Sequence, residues 1–252
     1  LKLSKETQNA MRQKMGVIRY PLTTGTSCKR ICDTVQYILT DSSELPVFIG
    51  GDRSASIGVL EGVLRHNPDT FVLFVDAHLD IAIPQFSETG AIHAMVVAFL
   101  ARLSETQNVP GFEWLGQATT LQAKNFAWIG TRSQWPGQKE LAAKFGARII
   151  TTEQCRKTSI CDVVSEMLKD LDPGKPIHIS FDLDVMEPQL VPNHGFPVDG
   201  GFSMKEATDL CQTVAATKML SSVDIVEFNP LISPEKTTVT ISTIKSIVNS
   251  LN

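Results

Sequence analysis

The chain has 252 residues, of which 42% are apolar and 20% charged, and its net charge is −4. That is enough apolar material for one large core, and the mild acidity gives no electrostatic ground for a nucleic-acid or anionic-membrane partner. No apolar run nears the roughly 18 residues of a spanning helix, and the polar, helix-like start LKLSKETQNAMRQK lacks a signal-peptide core; the expectation is an intracellular, cytoplasmic protein folded as one domain over 1–252.

In chain order, short runs rich in β-branched and aromatic residues predict strands: GVIRY (16–20), PVFIG (46–50), FVLFV (71–75), FAWIG (126–130), ARII (147–150), IHISF (177–181) and VDIVEF (223–228). Most are continuously apolar, as suits strands buried on both faces. Helical spacing follows most of them, over 56–66, 92–103, 139–145, 160–171 and 204–216, and again over 238–251. Such alternation predicts an α/β fold, a three-layer α/β/α arrangement around a mostly parallel sheet. No repeat or low-complexity tract interrupts it. The five cysteines, Cys28, Cys32, Cys155, Cys161 and Cys211, are odd in number and scattered. They read as ordinary thiols rather than a disulfide framework or a zinc finger.

Parallel sheets bind ligands beyond the carboxyl ends of their strands. FVLFV runs into Asp76-Ala77-His78-Leu79-Asp80, IHISF into Asp182-Leu183-Asp184, and VDIVEF carries Glu227 before Asn229-Pro230. Either aspartate motif alone is as readily a turn or a helix cap. Both together, on separate strands of one sheet, crowd carboxylates that repel one another unless a cation joins them. Hard oxygen donors with one imidazole favour Mn²⁺ or Mg²⁺, and bridging carboxylates allow a two-metal site that activates water.

From Val47 onward the sequence resembles the arginase family of ureohydrolases, through GGDRSASIG, VDAHLDI, TGAIHAM, VPGFEW, SFDLDVMEP, GFPVDGGFS and DIVEFNP. The resemblance implies a binuclear manganese site with Asp76, His78, Asp80, Asp182 and Asp184 as ligands, Glu227 facing a substrate guanidinium, and His93 as a proton shuttle. The sixth ligand, the His of a GGDHS motif, is Arg53 here. A guanidinium has five donors, no lone pair and a permanent charge. At ~4 Å and an effective dielectric of ~20 two unit charges interact by ~4 kcal/mol, and a divalent ion would feel roughly twice that. The expectation is zero or one bound Mn²⁺, with the first site disabled and Arg53 forked onto Asp76, Asp80 or Asp182 in the metal's place.

The residues that hold the amino acid in the family are also replaced. Its short polar side chains correspond here to Ala82, Thr89, Ala91, Ser133, Trp135 and Phe196. An amino-acid zwitterion bound without partners would leave both charged ends desolvated, while Trp135 and Phe196 would narrow the entry. Metal ligands kept beside a substrate shell lost fit a one-metal role, another substrate, or ligands restored by engineering. Only about thirty residues separate GVIRY from GGDRS, where relatives carry more chain and another strand, so a lost or missing segment is expected. The resemblance implies a homotrimer. Two functions follow: an arginase-like protein unable to hydrolyse L-arginine, with catalytic His93 and Glu227 vestigial and the chain kept for binding a ligand or partner subunit, or a Mn²⁺-dependent hydrolase of another guanidino compound. No Gly-rich phosphate loop or basic patch supports a nucleotide or nucleic-acid role.

Overall fold

A computed structural model of the chain describes residues 14–15, 18–84, 87, 89–116, 119–133 and 136–251. The helix-like start through Gln13 and Trp135 therefore lie outside the described residues. A small hairpin pairs β1 (Lys14–Met15) with β2 (Ile18–Arg19). Six strands then build the main sheet: β3 (Val47–Ile49), β4 (Phe71–Val75), β5 (Phe126–Thr131), β6 (Arg148–Thr151), β7 (Ile177–Asp182) and β8 (Leu220–Val226). Their order is β3-β8-β7-β4-β5-β6, and every pairing is parallel.

The central strands β4, β5 and β7 are buried at every residue, which is why their sequences do not alternate. Phe71, Leu73 and Val75 feed a core shared with α6 (Ile160–Leu168), α7 (Met204–Ala216) and α8 (Thr237–Asn249). Val72 and Phe74 face the opposite core with Ile57, Leu60 and Leu64 of α2 (Ala55–His66) and Ala142 of α4 (Pro136–Phe145). Helices thus cover both faces, as the strand–helix alternation predicts. Capping chemistry fixes several helix starts: Thr151 and Gln154 form a capping box at α5 (Thr152–Lys157), Ser203 and Glu206 another at α7, and Ser159 caps α6.

Two sequence expectations change. The described part of GVIRY pairs elsewhere than in the main sheet: Ile18 and Arg19 pair with β1, and the Arg19 N–H donates to Gly90 O at 2.7 Å. Pro21, whose fixed φ suits a first helical turn, then opens α1 (Pro21–Asp41), a 21-residue helix for which the sequence reading named no element. The helix read over 92–103 is a 3₁₀ turn (Ile92–Met95) followed by α3 (Val96–Leu100). Arg102, at φ +53°, turns the chain out of that helix.

α1 lies close on α2 because two glycines let it. A Cβ on Gly58 would sit 2.4 Å from Cys28 O, and one on Gly62 would sit 2.8 Å from the Val35 side chain. The contact stripe of α1, Pro21, Gly25, Cys28, Cys32 and Val35, recurs at helical spacing. Those thiols are packing groups: burial pushes Cys28 up to about 12 and Cys32 up to about 11. The α1–α2 pair thereby fixes the start of α2, and with it the turn that carries Arg53.

Candidate functional site

Four adjacent strands, β3, β8, β7 and β4, deliver the candidate residues to one edge of the sheet. Asp76 to Asp80 follow β4, Asp182 ends β7 with Asp184 just beyond, Glu227 follows β8, and Arg53 sits in the turn between β3 and α2. Local backbone bonds hold the aspartates. The His78 N–H donates to Asp76 Oδ1 (2.6 Å), the Asp184 N–H to Asp182 Oδ1 (2.8 Å) and the Ala77 N–H to Asp184 Oδ1 (3.0 Å). Beneath the β7 loop, Arg132 donates to the carbonyls of Asp184 (2.7 Å), Val185 (3.1 Å) and Val198 (2.7 Å). Asp80 and Glu227 both take left-handed backbone, at φ +45° and +66°, a strain that non-glycine residues carry only where their surroundings enforce it.

Arg53 is 1% exposed and its guanidinium lies among the carboxylates. Nη2 is 3.1 Å from Asp76 Oδ2, Nε is 3.4 Å from Asp80 Oδ2 and 3.6 Å from Asp182 Oδ2, and Nη1 is 3.9 Å from Asp224 Oδ2. Its carbon sits 3.9 Å from the centroid of the Phe74 ring. The aligned hydrogen bonds go elsewhere, from Nη1 to Ser180 Oγ (3.0 Å) and Ser56 Oγ (3.4 Å). Nε, Nη2 and Asp76 Oδ2 are buried without an aligned partner. The ion pairs are therefore contacts of charge rather than matched forks.

Behind them a second polar chain enters the sheet: Ser56 donates to Asp224 Oδ2 (2.7 Å), Asp224 Oδ1 meets His178 Nε2 (2.7 Å), and His178 Nδ1 meets Ser222 Oγ (2.7 Å). Sequence reading missed Asp224, Ser56 and Ser180. Its available signal was a polar residue inside an otherwise apolar strand, as in IHISF and VDIVEF.

The carboxylates answer their surroundings differently. Burial, then the neighbouring aspartates, pushes Asp76 up, and pushes Asp80 and Asp182 well above the usual carboxylate range, with Arg53 opposing. Burial also works against Asp184 and Asp224, but hydrogen bonds from His78 and His178 respectively outweigh it and hold both low. His78 Nδ1 lies 2.7 Å from Asp184 Oδ2 and 3.7 Å from Asp76 Oδ1; against burial, these bonds raise it to about 11.

Glu227 accepts the Arg53 backbone N–H at 2.7 Å, not its guanidinium, so it caps the turn that presents Arg53. Burial pushes its carboxyl up. His93 Nδ1 is 3.6 Å from Asp52 Oδ2, and the His93 ring lies 5.0 Å from that of Phe196. Burial opposes ionisation of Asp52, but His93 and the Ser54 hydroxyl and N–H hold it down to about 2.

These groups line a cleft of about 670 Å³ with Ala82, Ala91, Phe196 and Arg19. Phe196 is half exposed at its entry. Ser133 instead donates its N–H to Ala77 O, in the loop beside the aspartates.

Among the described residues two triads have donor atoms close enough for one ion each: Asp76, His78 and Asp184, and Asp76, Asp80 and Asp182. The second is where the Arg53 guanidinium sits. The first retains an imidazole and two carboxylates, a donor set that fits one hard divalent ion; the second is already occupied by a fixed cation that cannot leave as an ion does.

The arginase family description matches residues 2–250. The chain belongs to the arginase family. It is 33% identical to Arginase-1 of Bos taurus over 92% of this chain and 73% of that one. Against the arginase of Emericella nidulans it is 35% identical over 80% of this chain and 64% of that one. The arginase structure from Bacillus subtilis superposes with a TM-score of 0.82 at 26% identity, covering 93% of this chain and 79% of that one. The chain thus spans about two thirds to three quarters of the length of these curated arginases. No helix among the described residues is long and apolar enough to cross a membrane.

Proposed function

We propose that this arginase-family chain does not hydrolyse L-arginine, binds at most one Mn²⁺, and serves as a binding protein for a small molecule or a partner subunit. The observation that carries this reading is the buried guanidinium of Arg53 against Asp76, Asp80 and Asp182. A fixed cation there does the electrostatic work of a first metal ion while offering no Lewis acidity and no open coordination position. Asp76, His78 and Asp184, with Asp182 beside them, would hold the remaining ion. Its chemistry when bound would be to polarise a water or ligand oxygen. The methyl groups of Ala82 and Ala91 and the ring of Phe196, all lining the cleft, offer no hydrogen bonds to an amino-acid head. In this reading His93 and Glu227 keep their places without a reaction to serve, and the chain assembles as the homotrimer that the family resemblance implies.

Elemental analysis after dialysis against excess Mn²⁺ tests it, with zero or one ion per chain expected; two tightly held ions would sink it. Arg53→His should raise occupancy toward two ions and still leave L-arginine hydrolysis absent. A second reading keeps catalysis. His93, paired with Asp52, and Glu227 remain on the cleft wall, which favours a Mn²⁺-dependent hydrolase of a guanidino compound without an amino-acid head. Urea release from a panel of such compounds separates the two, since robust turnover of any member selects the second.

A further inference from the structure

Among the described residues the sheet ends in an uncovered strand: β3 pairs with β8 alone. The Val223 N–H donates to Pro46 O (3.0 Å) and the Gly50 N–H to Ile225 O (2.8 Å), so Pro46, Phe48 and Gly50 turn their backbone groups toward β8. By alternation Val47 and Ile49 turn theirs away, and no hydrogen bond among the described residues reaches them on that side. Val47–Ile49 carries no lysine, proline or bulge of the kind that protects outer strands. Ile49 is instead 57% exposed.

The helix beside that edge has the composition of a covered one. α8 packs Ile244 and Ile247 on the core with Val223 and Ile225 of β8, and its Val248 joins Val47 against the same core. Ile49 shares the sheet face of Val47, so it lies on the α8 side. The outward residues of α8 are Thr238, Val239, Ile241, Ser242, Lys245 and Asn249. Lys245 is the one charge among them, and Thr238, Val239 and Ile241 are β-branched residues that disfavour helix. Solvent-facing positions normally hold strong helix formers, and the neighbouring α7 carries Lys205, Glu206 and Asp209. With Leu231 and Ile232, in the loop from β8 into α8, Ile49, Val239 and Ile241 make up most of the exposed large apolar side chains among the described residues. Loss of charge around exposed apolar side chains is the composition of an interface core.

We infer that β3 and α8 form a two-fold interface with a second copy of this chain, the two outer strands pairing antiparallel into one continuous sheet. With Phe48 opposite Phe48 of the second copy, the outward groups of Val47 face those of Ile49, and the reverse, so every free donor there finds an acceptor. The two-fold axis stands normal to the sheet and keeps both copies of α8 on one face, so the sparsely charged helices lie side by side. An extended peptide would gain the strand bonds alone, and so short a strand does not offset the cost of association by itself. A second copy adds the apolar helix face. The interface is independent of a three-fold elsewhere on the chain, and the two together would give six chains.

Sedimentation equilibrium of the full chain, 27.6 kDa, tests it. Two chains are expected, or six if a three-fold also forms. Ile49→Lys and Ile241→Lys, both at exposed positions, should each weaken the two-fold association about tenfold, since each sets a charge into the contact, and leave the far-ultraviolet spectrum unchanged. Amide hydrogen exchange supplies the second measurement. The Val47 and Ile49 N–H groups should exchange slowly in the assembly and about tenfold faster in Ile241→Lys, a change made outside the strand. A monomer or a trimer overturns the inference, as does an assembly whose mass neither substitution lowers. Slow exchange of those amides in a monomer also overturns it, because the chain would then cover its own edge.

Discussion

Two arginines are buried among the described residues, and their surroundings differ in kind. Arg102 is held as a fork: Nε donates to Gly116 O (2.9 Å), Nη1 to Phe99 O (2.7 Å), and Nη2 to Thr119 O (2.8 Å) and Glu61 Oε2 (2.5 Å). Glu61, on the buried face of α2, also receives Arg65 Nε (2.9 Å) and the Thr119 hydroxyl (2.7 Å). Every acceptor there is aimed along an N–H. Arg53 is surrounded by more charge and fewer bonds, with two of its nitrogens lacking an aligned acceptor. Carboxylates around a guanidinium that evolved as its fork would be coplanar with it. Those of Asp76, Asp80 and Asp182 bring oxygens within 4.8 Å of one another, a spacing that one ion could bridge. The first region is a structural clamp; the second is a carboxylate cluster holding a guanidinium.

The largest test breaks the clamp. Arg102→Ala leaves Glu61 with only Arg65 as a cationic partner and takes the guanidinium from the Gly116 and Thr119 carbonyls, so it should cost about 3–5 kcal/mol. In a chain of this size that lowers the melting temperature by about 10 °C. Excess Mn²⁺ should leave the gap to the parent protein unchanged. A gap that closes with Mn²⁺ would mean the two regions are not separate.

Arg53→Met removes the other cation and should cost about 3 kcal/mol in chelator, because Asp76, Asp80 and Asp182 then repel one another in a buried place. Here Mn²⁺ should close the gap, since at a hundredfold excess over Kd a second bound ion adds about 2.7 kcal/mol. Thermal melts of both variants with EDTA and with Mn²⁺ make the measurement. A deficit in Arg53→Met that ignores the metal would show that the guanidinium is a clamp like Arg102.

The difference between the regions also marks what could be read in the sequence. The six sheet strands announce themselves as apolar runs, and motifs placed just after such runs must reach the sheet edge, so Asp76, His78, Asp80, Asp182, Asp184 and Glu227 were legible. Helix α1 was not. Its contact stripe is made of Gly25, Cys28 and Cys32 with Pro21 and Val35, small residues whose role depends on Gly58 and Gly62 across the interface. Asp224, Ser180 and Ser56 were missed for a related reason: each is one polar residue in an apolar element, and only the fold shows that all three meet Arg53. The Glu61–Arg102 clamp joins residues 41 apart, with nothing local to announce it.

A smaller effect separates the regions by pH. His78 is raised to about 11 although burial opposes its charge, because it is bonded to Asp184 and Asp76. In the metal-free protein that pairing stabilises fully below the ordinary imidazole value near 6.5, and the contribution is lost as pH rises through about 11. An ion bound by Asp76, His78 and Asp184 must first displace this proton. Affinity for Mn²⁺ should therefore increase as much as tenfold per pH unit between about 6.5 and 8.5, whereas the guanidinium of Arg53 keeps its charge and adds no slope. Titration calorimetry at three pH values measures it, and a flat profile would remove His78 from the ligand set.

The finest comparison takes one hydroxyl from each region. Ser56→Ala deletes an aligned partner of Arg53 and a donor to Asp224 Oδ2, in a place where aligned bonds are scarce. Thr119→Val deletes one donor to Glu61, which keeps both arginines. Hydrogen bonds to buried charges contribute about 1.5–3 kcal/mol when nothing replaces them and about 1 kcal/mol when neighbours do. Ser56→Ala should thus cost about 1.5 kcal/mol and Thr119→Val about 1 kcal/mol in denaturant unfolding. The reverse order would mean that Arg53 is satisfied by its carboxylates after all, for then the serine hydroxyl would be the dispensable one and the misaligned contacts would be hydrogen bonds in solution.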